Sequence, residues 1–241
     1  MDTIRLDKLL SNMGYGSRSE IKKMISKGSV CVDQKVVRDP SCKVNPKESD
    51  VTFDGKQVIY KKFTYLMLNK PAGVVSSTDS KDTNVIDILE ERYKYINLFP
   101  AGRLDKDTEG LIILTNDGLM AHNILSPKKK VEKKYYVEID ESISQDQIET
   151  LENGVILEDG DRCLPSRVEI LEESDILCKL NLYIMEGKYH QVKRMFAAIG
   201  RKVTYLKRIS VGRIVLDENL RTGEYRELSE IELKNLPVSK D

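Results

Sequence analysis

The sequence predicts an α+β protein with a small N-terminal helical domain and a larger domain built on a mostly antiparallel mixed sheet. Apolar residues near the N-terminus recur at helical spacing, whereas later apolar segments are short, alternate with polar residues and end in turn signals. The length of 241 residues accommodates two unequal domains. Residues 54–62 are typical of a linker, so we place the boundary near Tyr60 and expect domains at 1–59 and 60–241.

Two short helices and a small hairpin are predicted in the first domain. The first helix has a buried stripe at i, i+3, i+4 and i+7, formed by Leu6, Leu9, Leu10 and Met13. The second helix begins at Ser17, with Glu20 three residues later in a capping-box pattern, and ends at Gly28. Residues 30–32 and 36–37 are predicted strands joined by a turn at Asp33-Gln34.

Strand signals dominate the larger domain. Strands are predicted at Tyr65–Asn69, Leu111–Leu114, Tyr135–Ile139, Ile176–Ile184, Val203–Leu206 and Arg213–Leu216. Short helices are predicted at Met120–Leu125, residues 145–152 and Val192–Ile199. Turn signals at Asn116-Asp117-Gly118 and Asp159-Gly160 indicate hairpins, and such turns outnumber helical crossovers, which favours an antiparallel sheet.

Several protein classes are excluded because their signals are missing from the sequence. Wholly apolar runs such as Leu111–Leu114 are far shorter than the roughly 18 residues of a membrane span. The N-terminus has no apolar signal-peptide core, and the four cysteines form no CxxC pair. No glycine-rich nucleotide-binding motif is present. We therefore expect a cytoplasmic protein with reduced thiols, no membrane partner and no zinc site.

The charge of the chain is unevenly distributed although its formal net value is zero. Residues 1–28 carry six basic and three acidic side chains, and residues 186–226 carry ten basic and four acidic ones. The rest of the chain is correspondingly acidic. Two basic segments on an acidic body are compatible with a surface that follows a phosphate backbone, and equally with ordinary solvated faces.

The first domain resembles the S4 RNA-binding domain. The resemblance covers roughly residues 3–50 and includes the run RLDKLLSNMGYGSRSEIKKMISKGSVCVDQKVV. It implies that the helix pair binds RNA, whereas the alternative is a structural helix pair with solvated lysines. The expected RNA contacts lie mostly off the apolar stripes and are Arg5, Lys8, Ser17, Arg18, Lys22 and Lys23.

The most chemically informative segment of the larger domain is the charged loop at residues 100–111. Gly102 and Gly110 allow tight turns at its two ends, and a buried strand follows. Asp105 in this loop is a plausible nucleophile or base because loops carry functional groups on a rigid scaffold. From spacing alone, the alternative is that Asp105 and Asp107 are turn residues, with Arg103 as a local ion-pair partner.

Five elements of the larger domain resemble motifs of the RsuA-like pseudouridine synthases, a family of small ribosomal RNA enzymes. In chain order they are LNKPAG at 68–73, GRLDKDTEGLIILTNDG at 102–118, KKY at 133–135, EGKYHQVKRM at 186–195 and GEYREL at 223–228. With the S4-like domain in front, the resemblance spans nearly the whole chain. It implies a pseudouridine synthase fold in the larger domain.

The resemblance implies that the protein isomerises uridine in RNA to pseudouridine. Asp105 would be the essential aspartate, acting on the sugar or the base, and Tyr135 would stack on the target uracil. Lys193, with the adjacent Arg194 as its rival, would pair with the aspartate. Arg103 and Arg194 are further expected RNA contacts. Because the reaction is an isomerisation without a redox step, we expect neither a cofactor nor a metal.

Other polar and aromatic side chains near these motifs are expected to have structural or RNA-facing roles rather than catalytic ones. Asp107 is expected to be a turn or hydrogen-bonding residue, and His190 a structural or RNA-facing one. If residues 135–139 form a strand, Tyr136 points away from Tyr135 and serves packing.

The expected substrate is 16S ribosomal RNA, at a site of the uridine-516 type, either as RNA or within a small-subunit assembly intermediate. The stretch from Lys188 to Leu228 is most similar to the 16S enzyme of the family. A 23S ribosomal RNA enzyme is the alternative within the class, and a non-catalytic S4-type RNA-binding protein is the alternative outside it. A sugar hydrolase using Asp105 and Asp107 has less support. We expect a monomer.

Overall fold

The computed structural model describes residues 3–236, so the outermost parts of the two predicted domains, residues 1–2 and 237–241, lie outside the described residues. The chain forms two compact units. The first combines the residues up to Thr64 with Ile86–Phe99, and the second combines Tyr65–Val85 with the chain from Pro100 onward. A stretch from the middle of the chain therefore belongs to the same unit as the N-terminal helices.

The first unit consists of short elements around a small apolar core. Its helices are α1 (Leu6–Asn12), α2 (Arg18–Lys27) and α3 (Glu91–Lys94). Its strands are β1 (Ile4–Arg5), β2 (Val30–Val32), β3 (Lys35–Val36), β4 (Lys43–Val44), β5 (Val51–Phe53) and β6 (Lys56–Gln57). The strands pair in the antiparallel order β3-β2-β5-β6, and β1 pairs with β4. The predicted apolar stripes of α1 and α2 face each other in the core.

Local sequence signals explain the turns of this unit. Ser17 and Glu20 form the predicted capping box at the start of α2, and Gly28 ends the helix in the left-handed conformation. Asp33 and Gln34 both have positive φ angles, as a two-residue hairpin turn between β2 and β3 requires. The predicted boundaries of α2, the strand at 30–32 and the turn are confirmed, whereas the second strand lies at Lys35–Val36, one residue earlier than predicted.

The second unit is built on one large, twisted sheet. Its strands are β7 (Tyr65–Lys70), β9 (Glu109–Thr115), β10 (Lys133–Ile139), β11 (Arg167–Ser174), β12 (Leu177–Ile184), β13 (Val203–Val211), β14 (Ile214–Val215) and β15 (Tyr225–Glu227), while β8 (Phe99–Pro100) lies where the chain leaves the first unit. Its helices are α4 (Gly118–Leu125), α5 (Gln145–Glu152), α6 (Gln191–Ala198) and α7 (Glu230–Asn235), with a 3₁₀ turn at Pro127–Lys129.

The order of the strands confirms the predicted fold class. The sheet runs β11-β12-β10-β13-β9-β7-β15, with β14 beside β13. All neighbouring pairs on this path are antiparallel except β13 and β9, which are parallel. One face of the sheet is covered by α5 and α6, whose apolar side chains share a core with β10 and β12. The predicted mostly antiparallel mixed sheet is thus confirmed.

Several local predictions differ from the structure. Residues 54–62, predicted as a linker, include strand β6, which pairs with β5. The turn signal at Asn116-Asp117-Gly118 does not close a hairpin, because the Asp117 carboxylate caps α4 by accepting hydrogen bonds from the amides of Leu119 and Met120. Strand β11 was not predicted, because nearly all of its side chains are exposed and it lacks an apolar alternation. Within the described residues, no helix is both long enough and apolar enough to cross a membrane.

Candidate active site

The charged loop at residues 101–108 leads directly into the buried strand β9. Gly102 near its start and Gly110, which follows it in β9, have φ angles of 105° and 101°, which L side chains rarely adopt. A side chain at position 110 would also collide with the backbone of Arg208 on the parallel neighbour β13. These glycines are therefore required by the backbone path that presents Asp105.

Buried polar side chains hold this loop from beneath. The Ser76 hydroxyl donates a hydrogen bond to the Leu104 carbonyl (3.0 Å) and accepts one from the Leu104 amide (3.1 Å). Both residues are buried, so neither backbone group of Leu104 is left without a partner. The residue immediately before Asp105 is thus fixed at both its amide and its carbonyl.

Lys70 supplies a second, stronger anchor. This side chain is fully buried, and its Nζ donates to the carbonyl oxygens of Pro71 (2.9 Å), Lys106 (3.3 Å) and Thr108 (2.8 Å). Burial lowers the pKa of the ammonium to about 8, although the nearby carboxylates of Asp107, Glu109 and Asp105 oppose that shift. The Lys70 of the LNKPAG motif therefore connects the end of β7 to the loop that carries Asp105.

The loop brings two carboxylates to one lysine. Lys193 Nζ lies 2.5 Å from Asp107 Oδ1 and 3.8 Å from Asp105 Oδ2. Hydrogen bonding to Lys193 lowers the pKa of Asp107 below its usual value. Asp105 is the less exposed of the two, with a quarter of its side chain accessible compared with 72% for Asp107. One ammonium group thus lies close to both carboxylates and offsets part of their negative charge.

The EGKYHQVKRM segment positions Lys193 through its own hydrogen bonds. Gln191 is buried, and its amide donates to Glu186 Oε1 (2.8 Å) and accepts from the Lys188 amide (2.9 Å). These bonds close the turn that begins α6. Lys193 is then carried on the first turns of the helix, facing the loop.

His190 lies beside Asp105, which the sequence did not predict. Its Nε2 is 3.5 Å from Asp105 Oδ1, and its backbone is left-handed, with a φ angle of 46°. The neighbouring ring of Tyr189 stacks on the imidazole at 3.8 Å and is 76% exposed. Left-handed backbone at a non-glycine residue is often found at functional sites. His190 lies within the EGKYHQVKRM motif, and this was the sequence signal that could have suggested its position beside Asp105.

The other predicted residues of this unit are placed as follows. Arg194, the rival of Lys193, forms an ion pair with Asp159 at 2.5 Å rather than approaching Asp105. Tyr135 is 8% exposed and belongs to the same core cluster as Leu104, whereas Tyr136 lies on the opposite face and donates to Glu138. Arg103 is exposed within the loop.

The predicted RNA contacts of the first unit differ in their availability. Arg5 forms an ion pair with the buried Asp7, and the Ser17 hydroxyl is engaged in the capping box. The remaining four expected contacts are exposed basic side chains, namely Lys8, Arg18, Lys22 and Lys23. Among the described residues of the whole chain, no cluster of three or more His, Cys, Asp or Glu side chains is arranged to hold a metal ion.

Comparison with known families assigns the two parts of the chain. Residues 64–198 match the family model of RNA pseudouridylate synthase, and residues 4–50 match that of the S4 domain. The chain belongs to the RNA pseudouridine synthase family. Members of this family are isomerases, and the RsuA-like resemblance stated from the motifs is confirmed.

Relatives of this RNA pseudouridine synthase align over nearly its full length. A Bacillus subtilis protein named as the uncharacterised RNA pseudouridine synthase YtzG is 50% identical over 95% of this chain and 97% of its own. The Escherichia coli ribosomal small subunit pseudouridine synthase A is 39% identical over 97% of this chain and 100% of its own. A crystal structure of a pseudouridylate synthase, 36% identical, superposes with a TM-score of 0.68 over 97% of this chain and 99% of that one.

Proposed function

We propose that this pseudouridine synthase isomerises a uridine of 16S ribosomal RNA, at a site of the uridine-516 type, with Asp105 as its catalytic carboxylate. The observation that carries the catalytic assignment is the position of Asp105 on a loop anchored at Leu104, Lys106 and Thr108. The 16S assignment is supported by relatives named ribosomal small subunit pseudouridine synthase A that align over their full length at 39–41% identity.

The reaction makes specific demands on the site. The bond from C1′ of the ribose to N1 of uracil breaks, a bond from C1′ to C5 forms, the C5 proton leaves and N1 gains a proton. A carboxylate can act as nucleophile toward the sugar or base, or stabilise positive charge on the sugar. Asp105 lies partly exposed on its loop, where an extruded nucleotide can reach it.

The neighbours of Asp105 have defined tasks in this proposal. Lys193 places a positive charge beside Asp105 and Asp107. Its attraction holds the Asp105 carboxylate in an orientation that faces the substrate. Tyr135 supplies an aromatic surface for the uracil and belongs to the same core cluster as Leu104, the residue that precedes Asp105. Arg103, exposed within the loop, contacts an RNA phosphate, and Arg194 does so when released from Asp159.

The first unit is assigned to RNA binding. Within residues 1–59, the contacts with RNA are made by Lys8, Arg18, Lys22 and Lys23, with Arg5 and Ser17 engaged within the protein in the free state. Residues 60–241 carry the catalytic function. The protein acts in the cytoplasm as a monomer, on 16S RNA or on a small-subunit assembly intermediate.

The test is tritium release from RNA labelled at C5 of uridine, with 16S and 23S transcripts and partly assembled small subunits as substrates. We expect release from 16S RNA or the small-subunit particles, and none from 23S RNA. Release from 23S RNA alone would replace the proposed substrate by the large-subunit one. Binding without release from any of these RNAs would favour the non-catalytic S4-type protein.

A further inference from the structure

A cleft of about 530 Å³ opens on the surface of the first unit. Its walls are formed by α1, by the start of α2 and by the segment that includes the end of α3. The lining residues are Lys8, Ser11, Asn12, Arg18, Lys94, Tyr95 and Asn97. Its volume falls in the range of roughly 300–1,000 Å³ that is typical of sites for small ligands.

The lining of this cleft is polar and positively charged. Lys8, Arg18 and Lys94 bring three cations to it, and none of the lining side chains is acidic. All three are exposed, and among the described residues none of them lies within ion-pair distance of a carboxylate. Three unpaired cations around one concave surface favour the binding of a polyanion.

The segment with Lys94 is fixed in position by alternating burial. Tyr93, Ile96 and Leu98 are buried, so Lys94, Tyr95 and Asn97 between them are left to face outward. The backbone of Arg92 also passes so close to Gly14 that a Cβ there would lie 2.8 Å from the Arg92 carbonyl oxygen. Close packing against the turn between α1 and α2 therefore determines where Lys94 and its neighbours lie.

The cleft also contains an aromatic side chain, Tyr95, and an amide side chain, Asn97. The Tyr95 hydroxyl donates to Glu91 Oε1 at 2.9 Å, which restrains the phenol ring. Asn97 has a φ angle of 56°, a left-handed conformation that asparagine adopts more readily than most residues. An aromatic ring and an amide beside three cations are the groups that bind a base and a sugar-phosphate backbone together.

We propose that the segment containing Lys94, Tyr95 and Asn97 completes an RNA-binding site with α1 and α2. The site takes one stretch of single-stranded RNA, with its phosphates on Lys8, Arg18 and Lys94 and one base on the ring of Tyr95. This inference rests on the proposed RNA substrate. It goes beyond the S4 match, which ends at residue 50, because it adds side chains between residues 94 and 97 to the S4-like helices.

The test compares variants of the full-length protein for binding to a short fluorescein-labelled single-stranded RNA, measured by anisotropy at several potassium chloride concentrations. Lys94→Ala is expected to weaken binding and to reduce the slope of log Kd against log salt by about 0.7, the value for one phosphate contact on single-stranded RNA. Lys56→Ala is the matched control, because Lys56 is an exposed lysine of the same unit that does not line the cleft. It should leave both quantities unchanged.

The ring of Tyr95 is tested by a pair of substitutions. Tyr95→Leu is expected to weaken RNA binding by roughly 5- to 150-fold, the range for loss of one stacked base, whereas Tyr95→Phe should retain binding. Circular dichroism melting of each variant checks that the unit remains folded, and Lys94→Ala keeps the test open should Tyr95→Leu unfold it. Equal binding by Lys94→Ala and Lys56→Ala would overturn the inference.

Failure of this inference is separable from failure of the proposed function. The binding measurement involves no turnover, so it gives an answer even where no pseudouridine forms. Normal RNA binding by the Lys94 and Tyr95 variants, together with tritium release by the wild type, would reject the composite site alone. A loss of binding in those variants without tritium release by the wild type would retain the site and reject the proposed reaction.

Discussion

The loop around Asp105 and the cleft around Lys94 hold their functional groups in opposite ways. In the loop, buried Lys70 and Ser76 fix the backbone on both sides of Asp105 through four hydrogen bonds. In the cleft, the cations are exposed ends of flexible side chains on a small core. The loop therefore defines the position of one group, Asp105, whereas the cleft provides several cations that each contribute part of the attraction for RNA.

This difference follows from what each site has to do. Bond breaking requires reacting atoms at a defined distance, so a displacement of about 1 Å can cost on the order of 100-fold in rate. Attraction of a phosphate backbone is long-ranged and tolerant of geometry, and each cation contributes a modest share. Substitutions in the loop should therefore act on the rate of the chemical step, and those in the cleft on affinity.

The largest effect is expected for Asp105→Asn. This change keeps the size and shape of the side chain but removes its negative charge. We expect the single-turnover rate of pseudouridine formation to fall by roughly 10³-fold or more, with unchanged RNA affinity. Asp107→Asn is the matched control, because Asp107 also pairs with Lys193 but is mostly exposed. An equal loss from both variants would contradict the distinct role of Asp105.

A smaller loss is expected for Lys193→Met, which removes the positive charge near both carboxylates. We expect the rate to fall by roughly 10²-fold, the usual cost of removing one electrostatic partner from an active site. Arg194→Met is the comparison, since Arg194 pairs with Asp159 and not with Asp105. Its single-turnover rate at saturating RNA should stay near that of the wild type. A greater loss from Arg194→Met would reverse the two assignments.

The anchoring of the loop is tested by Lys70→Met, which keeps the length of the side chain. Three carbonyl oxygens lose their donor, so the loop gains freedom and the catalytic rate should fall roughly tenfold with little change in RNA affinity. Single-turnover rates and RNA titrations of the same preparation separate these two quantities. An unchanged rate would show that the contacts of Ser76 suffice to hold the loop.

The same substitution has a consequence for the pH dependence of stability. Burial lowers the pKa of Lys70 in the folded protein from 10.5 to about 8. Between these two values the unfolded chain holds a proton that the folded protein has released, so this group makes the free energy of unfolding rise with pH. The wild type should therefore gain stability relative to Lys70→Met from about pH 8 to pH 10.5. Urea unfolding at a series of pH values measures this difference in the free energy of unfolding. A difference that does not change with pH would contradict the lowered pKa of Lys70.

The smallest effect is expected for Lys8→Ala in the cleft of the first unit. Loss of one exposed cation should weaken RNA binding several-fold at low salt, with a progressively smaller difference as salt rises. The rate at saturating enzyme should not change. Anisotropy titrations at two salt concentrations measure the effect, and a loss that is independent of salt would indicate a structural role for Lys8.

The sequence predicts more of the fold than of the interactions within the site. The helical stripes of α1 and α2, the Ser17 cap and the mostly antiparallel sheet were predictable because they depend on local periodicity and turn chemistry. Strand β11 was not predictable, because its exposed face carries no apolar alternation. The assignment of Ile86–Phe99 to the first unit also escaped prediction, since it depends on packing between distant segments.

The contacts within the candidate site likewise could not be predicted from the sequence. Motif resemblance alone assigned roles to Asp105, Tyr135 and Lys193, which stay predictions until the variants are measured. The anchoring of the loop by Lys70 and the proximity of His190 to Asp105 arise from contacts between residues 36 or more positions apart. No spacing rule connects such residues, so only the three-dimensional arrangement reveals them.

The most direct test of the contrast between loop and cleft is single-turnover tritium release from a 16S transcript, measured as enzyme concentration is raised to saturation. Asp105→Asn should release almost no tritium at any concentration, whereas Lys8→Ala should need more enzyme but reach the wild-type rate. Wild-type rates from Asp105→Asn, or a lower plateau for Lys8→Ala, would contradict the division of chemistry and RNA binding between the loop and the cleft.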